Sequence, residues 1–176
     1  SLLEYSIEAI TIMMDTLIDQ GNRVALLIYG GTLDYTLPGY GRVQKEKILQ
    51  SLSAARLQSS HVFAELRALP TQLFPAKSQI VFVSPLLPED PPFLRRLRSY
   101  DYQVLLVSPN PVHYGTDQLH GVDETSLATR LALLERDLLL RQLLQAGIFV
   151  LDWDVKRPFA DVARPRLRTT AMTRPT

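Results

Sequence analysis

A doubly wound α/β domain, with a mostly parallel sheet and helices on both faces, is the fold class this sequence predicts, and three observations predict it. Four short apolar runs, 24–29, 80–83, 104–107 and 148–151, do not alternate with polar residues, so each reads as a strand covered on both sides. Segments of helical periodicity separate them, and strand–helix alternation implies crossovers of one hand and a Rossmann-like sheet. The length, 176 residues, suits one domain with a real core.

The first element is a helix. Leu3, Ile7, Ile10, Met14 and Leu17 recur three or four residues apart, which puts them on one stripe of a helix ending near Gly21. A doubly wound domain normally opens in a strand at the centre of its sheet. A chain that opens in a helix is therefore expected to lack that strand, and such a segment on its own should fold poorly or associate through its open edges. After the first apolar run, residues 30–41 are rich in Gly, Pro and Tyr and read as a loop, followed by a helix over 43–55 with Ile48 and Leu49 turned inward. A short helix over 62–69 stops at Pro70. Pro91 and Pro92 open the helix that holds Phe93, Leu94 and Leu97, since proline suits a first turn. The longest helix is capped by Thr125 or Ser126, runs to about Gln145 and ends at Gly147. Leu127, Leu131, Leu134 and Leu138 form a stripe on it, widened by Leu133, Leu140 and Leu144. Core filling is the ordinary reading of such a stripe, and a partner groove is the other. Residues 1–165 read as the domain. Residues 166–176 read as a basic tail that continues the Lys156, Arg157, Arg164, Arg166, Arg168 and Arg174 series and is only lightly balanced by Asp161.

Composition narrows the function classes. Hydrophobic residues at 46% and charged ones at 21% describe a globular chain, and a net charge of +1 gives no bulk attraction to nucleic acid. The absence of cysteine removes disulfides, thiolate metal sites and a cysteine nucleophile. No run approaches the roughly 20 apolar residues of a spanning helix.

In open α/β sheets ligands bind beyond the carboxyl ends of the strands. The residues there are Gly30-Gly31-Thr32, Ser84-Pro85, Ser108-Pro109 and Asp152-Trp153-Asp154. Gly30-Gly31-Thr32 suggests a phosphate loop, but no lysine stands at the required spacing and Leu33-Asp34-Tyr35-Thr36-Leu37-Pro38 reads as extended or looped chain rather than a helix. Asp152 and Asp154, at i and i+2, suit an acid/base pair or the capping of a turn. No nucleophile accompanies them, so catalysis is not expected. His61, His113 and His120 lack zinc-ligand spacing.

Three segments together resemble a known family. The run from Leu3 to Ile10, the stretch Gly21-Asn22-Arg23-Val24 through Gly30 and the motif Leu37-Pro38-Gly39-Tyr40-Gly41 are similar to the carboxyl-terminal part of the domain-of-unknown-function 58 proteins. These are von Willebrand factor A-like proteins associated with MoxR-type AAA ATPases. Leu134-Glu135-Arg136 leading through Gly147 to Val150-Leu151-Asp152-Trp153-Asp154-Val155 resembles the family's last helix and strand. The resemblance covers nearly the whole chain. It implies strand order 3-2-1-4-5-6 and an upper surface where related domains hold a divalent cation through three loops. The first, Asp-x-Ser-x-Ser, would precede Ser1. The second falls at about Ser60. The third falls at Ser84-Pro85, where no carboxylate stands and Pro85 takes the expected position. Because Mg²⁺ favours oxygen ligation with at least one carboxylate, the metal site is expected to be degenerate.

The resemblance implies a non-catalytic protein–protein interaction module working with a MoxR-type AAA ATPase in assembly or chaperone-like work. Its partner-binding rim would be Gly30, Gly31, Thr32, Ser60, Ser84, Asp152 and Asp154. No cofactor, nucleic acid or membrane insertion is expected, and the place is the cytoplasm or the cytoplasmic side of a membrane-anchored protein. A hydrolase or nucleotide-using enzyme on the same scaffold is the alternative, and a metal-dependent adhesion-type domain a second one.

Overall fold

The computed structural model describes residues 1–29, 33–55, 74–111 and 127–163. They belong to two compact units, one comprising Ser1 and Leu3–Leu69, the other Leu2 and Pro70–Thr176.

In the first unit, α1 (Leu2–Asp19) ends where Gly21 takes a left-handed φ of 80°. The strand β1 (Val24–Tyr29) then pairs antiparallel with β2 (Leu33–Gly39), and α2 (Gly41–Ala54) follows. Residues 33–39, expected as loop, are therefore a strand. The pairing Val24↔Gly39 shifts by Leu26↔Thr36, so Leu37 and Pro38 together oppose Ala25 in a bulge. Proline has no N–H for a ladder, and a bulge is where a strand tolerates it. The buried amide of Gln44 secures the irregular stretch, donating to Val24 O at 2.7 Å and to Leu37 O at 2.8 Å. Gly39 leaves the room that Gln44 needs, since a Cβ there would collide with its side-chain amide.

Met14, Ile18, Ile48 and Leu52 form this unit's core, with Val24, Leu26 and Ile28 packed against it. Two sequence expectations change here. The run 24–29 is not covered on both faces, because Ala25 is exposed and none of Val24–Ile28 is fully buried. On α2 it is Ile48 that points inward, whereas Leu49 is exposed.

In the second unit, β3 (Gln79–Val83), β4 (Gln103–Pro109) and β5 (Phe149–Trp153) form a parallel sheet in the order β3-β4-β5. Among the described residues, the crossovers contain the helices α3 (Asp90–Ser99) and α4 (Leu127–Gln145). All four apolar runs are thus strands, but the parallel ladder joins three of them and β1 pairs elsewhere. The register Phe82↔Leu106↔Val150 and Ser108↔Asp152 sets one face of the sheet. Phe93 of α3 meets Phe82 on that face with ring centroids 5.6 Å apart, and Arg136 of α4 reaches Ser108 and Asp152 there. Both crossover helices therefore lie on one side, as successive crossovers of one hand stepping in one direction require. The winding does not reverse among the described residues. On the other side, Phe159 of the helical turn 159–163 packs edge-on against Trp153, centroids 4.9 Å apart. From Val104 to Pro109 every residue of β4 is buried, which explains why that run carries no polar alternation before Ser108. No described helix is long and apolar enough to cross a membrane.

Candidate functional site

The carboxyl ends of β3, β4 and β5 carry Ser84, Ser108 and Asp152, and α4 brings Arg136 to all three ends. The Arg136 side chain is buried, with Nε and Nη2 donating to Asp152 Oδ1 at 3.2 and 2.7 Å. Nη2 also donates to Ser108 Oγ at 2.8 Å, and Nη1 to Pro85 O at 3.0 Å. One guanidinium thus ties the β3 loop to β4 and β5. Its fixed fork of donors is what allows it to serve three acceptors lying in different directions.

Beside it, the loop from Ser84 to Asp90 is closed by side chains. Ser84 Oγ donates to Asp90 Oδ2 and accepts from Leu86 N at 3.2 Å, and Leu87 N donates to Asp90 Oδ2 at 2.8 Å. These bonds hold Leu86 at a φ of 67°, a left-handed conformation unusual for a bulky residue. Asp90 is fully buried, and its Oδ1 has no hydrogen-bond partner among the described residues. Burial pushes its carboxyl above the ordinary 3.8, against the opposing pull of the Ser84 hydroxyl and Leu87 N–H.

The predicted rim separates on this geometry. Gly30, Gly31, Thr32 and Ser60 lie outside the described residues, as do His61, His113, His120, Thr125, Ser126, residues 62–69 and residues 166–176. Ser84 is buried and bonded within the loop rather than presented outward. Asp152 is the counter-ion of Arg136, and Asp154 Oδ1 accepts from Lys156 N at 3.0 Å to close the following turn. The two aspartates do not act on one point.

Asp90 corrects the expectation that no carboxylate stands by the β3 loop, since the fold brings one onto Ser84. The set still does not fit Mg²⁺. The Ser84 hydroxyl and Asp90 Oδ2 bind each other, and the guanidinium held on Pro85 O places positive charge beside the spot a cation would need. Among the described residues no three His, Asp or Glu side chains gather as metal ligands.

A second feature lies on α4. Arg136, Leu140 and Leu143 fall at i, i+4 and i+7 and face the sheet. On the opposite side, Leu127, Leu131, Leu134 and Leu138 are 81%, 53%, 57% and 53% exposed. That row, expected as core, is a solvent-facing leucine stripe. The inner stripe contains Thr129 and Arg136, both buried, because the polar acceptors at the strand ends lie on that side. Arg136 is the site residue that strand-end inspection missed, and its signal is a charge in phase with buried leucines, which demands a counter-ion. Asp90 has no such local signal, because it meets Ser84 only after the loop closes.

No protein-family model, curated protein or solved structure matches the chain.

Proposed function

We propose that the chain is a non-catalytic protein–protein interaction module whose contact surface is the outward leucine row of α4. Contiguous exposed apolar surface of this kind marks contact sites, whereas scattered exposed leucines do not. The observation that carries the reading is the orientation of α4, with four leucines in a row turned away from the sheet it packs on. The strand-end groups add support, because Arg136, Ser108, Asp152, Ser84 and Asp90 are engaged with one another in a way that braces the sheet. From the family resemblance the partner machinery is a MoxR-type AAA ATPase, and the setting is the cytoplasmic side.

Biolayer interferometry of the immobilised chain against a MoxR-type ATPase of the same genome tests this. Binding that is lost in Leu131→Asp and kept in Leu144→Asp is the expected result, since Leu144 is exposed but lies off the row. Binding indifferent to Leu131→Asp, or hydrolysis of a nucleotide or ester by the chain alone, would refute it.

A further inference from the structure

Four leucines on one helix face are spaced four, three and four residues apart, which is the a/d spacing of a two-stranded coiled coil. In that frame Leu131 and Leu138 are a positions and Leu127 and Leu134 are d positions. The flanking g positions are Arg130 and Asp137, and the flanking e positions are Ala128, Glu135 and Gln142. We propose that α4 is a homodimerisation helix. Its leucine row packs against the same row of a second copy running parallel to it, with Arg130 of each chain beside Glu135 of the partner subunit. This rests on the reading of the row as a protein contact surface and names the occupant.

Charge placement selects both the occupant and the direction. In a parallel pair each g residue faces the partner's e residue five positions on. For this helix that sets Arg130 opposite Glu135, twice by symmetry, and Asp137 opposite the uncharged Gln142. Arg130 and Glu135 are both exposed, and five residues apart they do not face each other within one helix. Neither has an ion-pair partner among the described residues. An antiparallel pair would instead set Arg130 against Asp137, whose carboxylate already accepts from Arg141 Nε at 2.8 Å. A second copy therefore supplies what each exposed charge lacks.

The helix is already folded onto its own sheet, so pairing carries no cost of forming it. With less than two heptads of leucine the contact falls below about 1,200 Å² in total, the range of weak and transient pairs, so a dissociation constant on the order of micromolar is expected.

Sedimentation velocity from about 1 µM to about 100 µM brackets that constant. The expected result is a monomer–dimer equilibrium that Leu131→Asp and Leu138→Asp each weaken by roughly tenfold or more. Leu144→Asp should leave it unchanged. Arg130→Glu weakens the dimer, and the added Glu135→Arg restores it. Circular dichroism melts matching the wild type separate lost association from lost fold, and the charge swap, confined to exposed residues, carries the test if an aspartate variant unfolds. A wild-type chain that stays monomeric throughout overturns the proposal, as do disruption by Leu144→Asp equal to that by Leu131→Asp and failure of the double swap to restore pairing. A monomeric chain that still loses the ATPase in Leu131→Asp would overturn self-pairing alone and leave the contact surface standing.

Discussion

Replacing Arg136 by methionine removes the charge at the strand ends while keeping much of the side chain's apolar stem. The perturbation leaves Ser108 Oγ, Pro85 O and Asp152 Oδ1 without the guanidinium that serves them. Stripping one partner from a buried ion pair costs about 3–5 kcal/mol, because the other charge is left uncompensated. Here the Arg136 side chain is 7% exposed but that of Asp152 is 39% exposed, so water recovers part of the carboxylate's loss. Two neutral acceptors also lose a donor, each at a net cost of about 1 kcal/mol. The sum expected for Arg136→Met is about 3 kcal/mol, a large share of the roughly 5–15 kcal/mol that holds a domain together. Urea denaturation followed by circular dichroism reads it as a lower midpoint at unchanged slope. Asp152→Asn, which retains an acceptor oxygen, should cost about 1 kcal/mol, close to one ordinary hydrogen bond. The pair Arg136→Met/Asp152→Leu should cost less than the sum of Arg136→Met and Asp152→Leu, since no charge is then left alone. A loss below about 1 kcal/mol for Arg136→Met would show that the guanidinium is hydrated and braces nothing.

Three further outcomes rest on the same geometry. Burial raises the Asp90 carboxyl above its ordinary 3.8, so folding takes up a proton just above that value. The resulting penalty is absent well below 3.8 and grows as the pH rises from there through the raised folded value, so stability should fall across that rise in the wild type and lose this slope in Asp90→Asn. Parallel stability profiles for the two proteins from acid to neutral pH would show that Asp90 does not titrate there. Leu143→Ala should cost about 2–5 kcal/mol by opening a cavity, whereas Leu138→Ala on the opposite face should stay within about 0.5 kcal/mol in the monomer. Equal losses in chemical denaturation would reverse the assignment of faces. Calorimetry with Mg²⁺ or Mn²⁺ should show no saturable binding at Ser84, and a saturable isotherm abolished by Ser84→Ala would contradict the reading of its hydroxyl as occupied by Asp90.

Four strands are legible in the sequence because Val24, Phe82, Leu106 and Val150 sit in runs whose apolar character comes from burial or half-burial in a sheet. The strand β2 is hidden by Pro38 and Gly39, which read as loop residues until a bulge and the Gln44 amide account for them. The glycine pair between 29 and 33 is itself a hairpin signal, obscured by its likeness to a phosphate loop. On α4 hydropathy points to the wrong face. The unbroken leucine row looks most like core, while the true inner stripe is interrupted by Thr129 and Arg136, and only the acceptors on Ser108 and Asp152 explain why an arginine belongs there. Contacts made by closing a loop, such as Ser84 with Asp90, leave no periodic trace in a sequence.

Trp153 is the chain's sole tryptophan, and it lies fully buried at the end of β5 with its indole N–H donating to Arg157 O at 2.7 Å. Its emission therefore reports directly on its own surroundings at the end of the parallel sheet, where its indole meets Arg157 O and the Phe159 ring. Circular dichroism near 222 nm, by contrast, weighs every helix, and α1 and α2 contribute 18 and 14 helical residues to that signal. Recording both signals during one unfolding experiment thus labels the two compact units optically without any dye. Superimposable curves would mark the chain as one cooperative unit, and a dichroic transition displaced from the fluorescent one would resolve the hairpin unit as melting on its own.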